Sequence, residues 1–375
     1  LIVLAVFVLL SALGVQSTRG TGTPDFGDPL PGADLGVFET GKEDFEEVEE
    51  VEDGLGPIFN ARGCAECHTT PAVGGGSAIA ETRFQNSFRH GDLPGGSLLQ
   101  LFAIDPDCQE VIPGNANSIA RRLTTPLFGA GLIEAIPDRT IIEQAERQAR
   151  VRDGVTGRPN IVLDVATNQR RVGRFGWKAQ QATLTAFSAD AYLNEMGITN
   201  PLFPDENAPN GDQQRLAECD TIPDPEDDGE GVENFTNFMQ LLAPPPRGQI
   251  TGQVLRGERV FLEIGCATCH VPVMATGFSS NPLFDRKPVR LFSDLLLHDV
   301  GTGDGIRQAG AEANELRTPP LWGLRVRRPL LHDGRADTIE TAIRLHGGEA
   351  SGAAGRFRRL SRSDRNDLLA FLNSL

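Results

Sequence analysis

Two related, mainly α-helical domains in tandem are what this sequence predicts, and three observations carry the prediction. "CAECH" at 64–68 returns as "CATCH" at 266–270, 202 positions later. Further segments recur in the same order: "TTPLFG" (124–129) with "TPPLWG" (318–323), "WKAQQATL" (177–184) with "HDGRADTI" (332–339), and "NFTNFMQLL" (234–242) with the terminal "DLLAFLNSL" (367–375). Most of the chain between them has the apolar spacing of amphipathic helices. The offset between copies falls from 202 to 155 and then 133, so the first copy carries insertions.

Taken in chain order, residues 1–18 ("LIVLAVFVLLSALGVQS" and Thr18) are apolar and then small, as in the core and cleavage site of a secretory signal. The run is shorter than the roughly 20 apolar residues a membrane span needs. Export, to a periplasm or its equivalent, is the expectation; an N-terminal membrane anchor is the alternative. Residues 19–54 read as a flexible acidic leader. Its "KEDFEEVEEVED" block (42–53) is a solvated linker or helix start, with a docking patch for a basic electron donor as the alternative.

Residues 55–242 form the first expected domain. Its motif flank matches that of the second copy, with Phe59 four residues before Gly63 and Phe261 four before Gly265. "DRTIIEQAERQAR" predicts a helix with Asp138 as N-cap and Ile141, Ile142 and Ala145 on one face. "QQATLTAFSADAYLNEM" predicts another. "RPNIVLDVATNQRRVGRF" predicts a small β-hairpin turning at Ala-Thr-Asn. "APPPRGQ" marks a hinge, giving a linker at 243–250, because three prolines cannot continue a helix. The second domain is 251–375, and "TGQVLRGERVFLEIG" predicts a helix ending at the glycine before its cysteines.

Composition narrows the function. A chain of 375 residues has room for two or three ordinary cores. A net charge of −16 argues against nucleic acid, since no basic surplus neutralises phosphates. It leaves room for steering a basic partner.

The chemistry lies in Cys-x-x-Cys-His. In this spacing two thiols add across the vinyl groups of a haem, and the adjacent histidine reaches the iron. Cys64 and Cys67 are therefore expected to attach a first haem c, with His68 as its axial ligand; Cys266, Cys269 and His270 do the same for a second. Two alternatives explain less. A redox disulfide needs no following histidine. A Cys₄ zinc site leaves the histidine unexplained in both copies. The remaining cysteines, Cys108 and Cys219, form either a disulfide or two unpaired thiols.

A haem with both axial positions filled favours electron transfer, and one with an open position permits binding of a small molecule. The candidates for the second position are His90, His298, His332, His346, Met196, Met239 and Met274. Met274 follows His270 too closely to reach the opposite face. His346 leads. A helix capped near Asp337 puts Ile339, Ala342, Ile343 and His346 on one face, ended by Gly347 and Gly348. The equivalent of His346 in the first copy, 155 positions back, is Ala191. The first haem is then open or takes a ligand from elsewhere, with His90 on its Gly-rich loop as a distal candidate.

The stretches "GAGLIEAIP", "GRFGWKAQ", "FLEIGCATCH", "FSDLLLHDVG", "RTPPLWGL", "LLHDGRADT" and "AIRLHGGEA" resemble the di-haem cytochrome c peroxidase superfamily. They are closest to its bacterial di-haem oxidoreductases labelled thiol oxidoreductases, although no residue here accounts for thiol chemistry. The resemblance runs from about residue 56 to the C-terminus. It implies two cytochrome c-like domains facing each other, an interdomain calcium whose ligands the sequence does not place, and peroxide reduction with electrons from a small donor protein such as a cytochrome or cupredoxin. His332 and His346 have the fourteen-residue spacing of the superfamily's His-Asp-Gly stretch and distal ligand. Methionine is usual there, so histidine implies a lower potential for the second haem. Trp177 matches a tryptophan between the haems, though its neighbours differ, and is a candidate electron bridge. The expected division of labour has the second haem relaying electrons to a reactive first haem. A pure electron carrier and an oxygen-activating oxidase are the alternatives.

Overall fold

The computed structural model describes residues 23–375, His90 and Arg152 excepted. The expected signal or anchor segment, 1–18, and the candidate His90 lie outside the described residues. The chain is mainly helical with short antiparallel sheets, the predicted fold class. Seven helices position the sites: α1 (Leu35–Glu46), α2 (Asp138–Val151), α3 (Leu184–Ala191), α4 (Glu230–Leu241), α5 (Gly252–Glu263), α6 (Ile339–Leu345) and α7 (Arg362–Leu372). No helix among the described residues is long and apolar enough to cross a membrane.

Two helix crossings organise the molecule, and they are copies of each other. Helix α1 crosses α4 at Gly41, where an added Cβ would lie 2.4 Å from the Asn234 carbonyl oxygen. Helix α5 crosses α7 at Gly257, where a Cβ would lie 1.9 Å from the Asp367 oxygen. Backbones this close leave no room for any other residue. One helical turn on, Phe45 packs on Phe238 with ring centroids 4.8 Å apart, and Phe261 packs on Phe371 at 5.2 Å. Phe45 is thus the partner of Phe261, not the Phe59 expected from the motif flank. Phe59 sits in a two-residue strand, Ile58–Phe59, paired with Phe102–Ala103. The first copy inserts residues between its helix and its motif, so the offset is 216 at the phenylalanines and 202 at the motif histidines.

The duplication is equally plain at the offset of 155. Phe175 bridges Gln181, and Leu330 bridges Ala336. Gly176 and Leu331 both take positive φ (75° and 69°). Thr183 caps α3 by accepting from the Ala186 N–H, and Thr338 caps α6 by accepting from the Thr341 N–H. The cap of α6 is therefore Thr338 rather than the neighbouring Asp337.

The insertions of the first copy fold as sheets. Strands β1 (Ala80–Gln85), β2 (Leu98–Leu99) and β3 (Ser118–Leu123) form one sheet in the order β2-β1-β3. Strands β4 (Ile161–Asp164) and β5 (Gln169–Val172) are the expected hairpin. The Asp138 carboxylate does not cap α2. It lies within the helix, accepts from the Val172 N–H (2.9 Å) and pairs with Arg174, tying α2 to the hairpin. Helix α2 buries Ile141, Gln144 and Gln148 and leaves Ile142 exposed, against the expected apolar face. Gln148 is buried because its amide is fully used. It donates to the Thr268 carbonyl and to Asp294 (2.8 Å each) and accepts from the Gly157 N–H (3.0 Å).

Two main apolar cores follow among the described residues, beside a small cluster of Ala179, Leu297 and Ala311. The larger centres on Phe38, Phe45, Phe235 and Phe238 and runs on into Met274, Leu291, Leu295 and Leu296 of the second copy. The smaller centres on Phe261, Phe292, Phe357 and Phe371. Burial of Phe38 and Phe45 corrects the expectation of a wholly flexible leader, since α1 is part of the larger core. Cys108 and Cys219 are disulfide-bonded, with Cα atoms 6.3 Å apart.

Candidate functional site

Each Cys-x-x-Cys-His opens on its own cavity. The larger, of about 410 Å³, is lined by Cys266, Cys269, His270, the inner face of α6 (Ile339, Ala342 and Ile343) and His346, which caps the C-terminus of that helix. His270 donates from Nδ1 to the Phe292 carbonyl (3.1 Å), and His346 from Nδ1 to the Ala342 carbonyl (2.7 Å). These bonds fix the tautomer and leave each Nε2 with the lone pair a metal requires. Burial pulls the His270 pKa down to about 4, with the nearby His346 adding to the effect, and burial lowers that of His346 as well. Both rings are therefore neutral near pH 7, the ligating form.

The smaller cavity, of about 190 Å³, is lined by Cys64, Cys67 and His68. His68 donates from Nδ1 to the Gly75 carbonyl (3.0 Å), and burial pulls its pKa down to about 4. Phe45 backs its ring at 5.9 Å, as Phe261 backs His270 at 6.5 Å. The repeat holds to the far walls. Met239 lines the smaller cavity where its equivalent Leu372 lines the larger, and Ala191 lies where the larger has His346. Met196 also lines the smaller cavity.

All four motif cysteines are free thiols. Burial pushes Cys64 and Cys266 up to about 12 and Cys67 up to about 11, and raises Cys269. Thiols so far from ionising are poor at disulfide exchange, which counts against a redox Cys-x-x-Cys. The two pairs line separate cavities, so they do not form one Cys₄ zinc site. Among the described residues, the groups that could hold a metal ion are Cys269 with Asp294 and His298, and Glu206 with Asp224 and Glu226.

Trp177 lines both cavities. Its indole N–H donates to the Leu123 carbonyl (2.8 Å), and Arg327 lies over its ring at 5.4 Å. The structure also places three other sequence candidates. His298 is buried between Asp294 (2.9 Å) and Glu349 (2.8 Å), which occupy both ring nitrogens. His332 is buried in the wall of the larger cavity against Trp177. Met274 is buried in the larger core.

Polar residues that motif reading missed also line the cavities. The smaller holds Glu81, Arg83, Arg122, Asp190 and Glu195, drawn from β1, β3, the end of α3 and the π-helical turn Tyr192–Met196 that follows it. Burial, then the Glu81 charge, raises the Glu195 carboxyl to about 7 despite Arg83. Charges spread over inserted strands leave no local signature, and only the fold collects them.

Arg317 and Arg327 line the larger cavity, and burial lowers both to about 10. The charge beside Arg317 is Arg327 itself. Arg327 Nη2 is buried with no hydrogen-bond partner among the described residues. A buried guanidinium left this way calls for an anion, which a haem propionate supplies. Arg122 at the smaller cavity is already paired with Asp304 (2.7 Å), so there the fit rests on the free Cys64 and Cys67 thiols and the neutral His68 lining the space.

A protein-family model described as "Di-haem oxidoreductase, putative peroxidase" matches residues 114–375. The chain belongs to that di-haem oxidoreductase family. Membership implies two haem cofactors and an oxidoreductase of the cytochrome c peroxidase type. Cytochrome c peroxidase Ccp of Escherichia coli (strain K12) is 29% identical over 128 residues, 34% of this chain and 26% of that relative. The match thus spans about a quarter of the relative's length. Among solved structures, hydrazine synthase of Kuenenia stuttgartiensis is 16% identical, covering 99% of this chain and all of the other with a TM-score of 0.45. The diheme peroxidase BthA of Burkholderia thailandensis is 14% identical, covering 91% of this chain and 86% of its own, with a TM-score of 0.42.

Proposed function

We propose that this di-haem oxidoreductase is an exported c-type cytochrome that reduces peroxide with electrons from a small donor protein. Residues 55–242 and 251–375 are its two haem domains. Cys64 and Cys67 attach the first haem through thioethers and His68 ligates it. Cys266 and Cys269 would attach the second, and His270 and His346, which line the same cavity, would hold its iron. Bound haem would supply one-electron redox chemistry at iron.

One observation carries this reading: the equivalent walls of the two cavities bear His346 in one and Ala191 in the other. A site with two neutral imidazoles suits electron relay. A site with one imidazole and a methyl group leaves room for a small molecule. The chain's own groups then divide the remaining work. Arg317 and Arg327 hold anionic charge in the larger cavity, and Trp177 packs between the two. Glu195, with a carboxyl that titrates near neutrality, takes and returns a proton at its Oε atoms, which few other side chains do as well at pH 7. Asn60 holds it in place through Nδ2 to Oε2 (3.0 Å).

Steady-state consumption of hydrogen peroxide by the holoprotein with a reduced small donor tests the reading. Turnover that falls by about 10²-fold in Glu195→Gln, the usual size of a general acid–base contribution, is expected. A wild-type protein that consumes no peroxide supports the electron-carrier alternative instead.

A further inference from the structure

We propose that Glu206, Asp224 and Glu226 form a binding site for a hard divalent cation, with Ca²⁺ as its ligand. One oxygen from each carboxylate lies within 4.8 Å of the other two. Oxygens sharing one Ca²⁺ at about 2.3–2.6 Å are no farther apart than about 5 Å, so a single ion can reach all three. The set is all oxygen, with no nitrogen or sulfur, which suits a hard cation such as Ca²⁺ rather than copper, zinc or iron.

The cluster is more than a group of surface acids. Glu206 is 9% exposed, and its Oε2 is buried without a hydrogen-bond partner. Its other oxygen is fixed by the Asn207 N–H (2.7 Å). Glu226 is fixed too: its Oε2 accepts from the Thr199 N–H (2.8 Å) and from the Thr199 hydroxyl. That hydroxyl also lies 3.2 Å from Asp224 Oδ1. Glu226 can settle here because residue 54 is glycine at φ 104°, where a Cβ would lie 2.6 Å from that of Glu226. Asp224 is exposed and provides the way in from solvent.

A buried carboxylate facing two others must be neutralised. Burial, followed by the charges of Glu226, Asp224 and Asp220, pushes Glu206 up to about 9. A proton meets the need but leaves the Oε2 orphan and the converging oxygens unexplained. A cation satisfies all three carboxylates together. Every ligand comes from the loop between α3 and α4, pinned nearby by the Cys108–Cys219 disulfide. The site is thus separate from a calcium lying between two domains, and the proposal stands whatever the haems do.

The test is a calorimetric titration of chelator-treated holoprotein with CaCl₂, run on wild type, Glu206→Gln and Asp224→Asn. Wild type should bind Ca²⁺ with a dissociation constant on the order of 10⁻⁴ M or tighter. Glu206→Gln should bind one ion fewer, or that ion at least about tenfold more weakly. Asp224→Asn changes an exposed residue and keeps an oxygen able to accept from the Thr199 hydroxyl, so it should fold and weaken the same ion. An ion held elsewhere binds equally in all three proteins, so equal stoichiometry and affinity overturn the proposal. A wild type that binds no Ca²⁺ overturns it too, and leaves Glu206 simply protonated.

Discussion

Trp177 and His332 occupy equivalent positions in the two copies, and their rings meet edge to face with centroids 6.1 Å apart. Leu123 joins them through its backbone. Its carbonyl accepts from the Trp177 indole, and its N–H donates to the His332 carbonyl (2.6 Å). The duplicated segment thus places an aromatic ring from each copy on the line where the copies face each other. Only Trp177 of the pair also reaches the smaller cavity.

Replacing Trp177 with Phe keeps an aromatic ring but removes the indole donor, at a cost of about 1 kcal/mol in stability. If Trp177 carries electrons, oxidation of the second haem after half-reduced protein meets peroxide slows, while both haem spectra stay as they were. Stopped-flow absorbance reads this directly. An unchanged rate makes Trp177 a packing residue.

Arg327 contributes a buried charge that no acidic group among the described residues neutralises. Replacing it with Gln removes positive charge beside the second haem and so favours the oxidised iron. The midpoint potential of that haem should fall by on the order of 60 mV, a tenfold change in a one-electron equilibrium. Spectroelectrochemical titration measures it. Arg344→Gln, which breaks an exposed pair with Glu340, should leave both potentials alone.

His298 sets an alkaline limit on stability. Burial opposes its charge, but hydrogen bonds to Asp294, Cys269 and Glu349 prevail and raise its pKa from 6.5 to about 12. Its stabilising contribution is complete below pH 6.5 and is lost as pH rises towards 12. Between those values the native state binds the extra proton. Stability should fall with pH by up to about 1.4 kcal/mol per unit from this group. Urea unfolding at several pH values should show a flatter alkaline slope in His298→Gln than in wild type. Equal slopes mean that the ring is neutral in the native protein.

Much of this was legible in the sequence because the duplication is written in residues that the chemistry and the caps cannot vary. The motif cysteines and histidines, the β4–β5 hairpin, and the contrast between His346 and Ala191 were all readable from spacing. What escaped depends on contacts across the chain. Phe45 hides behind an insertion, so Phe59 took its place by simple counting. Gln148 interrupts an apolar face because its partners, Thr268 and Asp294, come from the other copy. Glu195 and Arg327 belong to no quoted stretch, and Arg317 opens "RTPPLWGL" with nothing there to mark its burial; the meaning of all three comes from burial and from what they face.

The central claim is that the two cavities differ in their axial residues. Electron paramagnetic resonance of the oxidised holoprotein, with and without peroxide and alongside His346→Gly, tests it most directly. The account predicts one low-spin signal that His346→Gly abolishes, and a second signal that responds to peroxide in both proteins. Two low-spin signals that ignore peroxide, as Met196 closing the smaller cavity would give, or a His346→Gly spectrum identical to wild type, would contradict it.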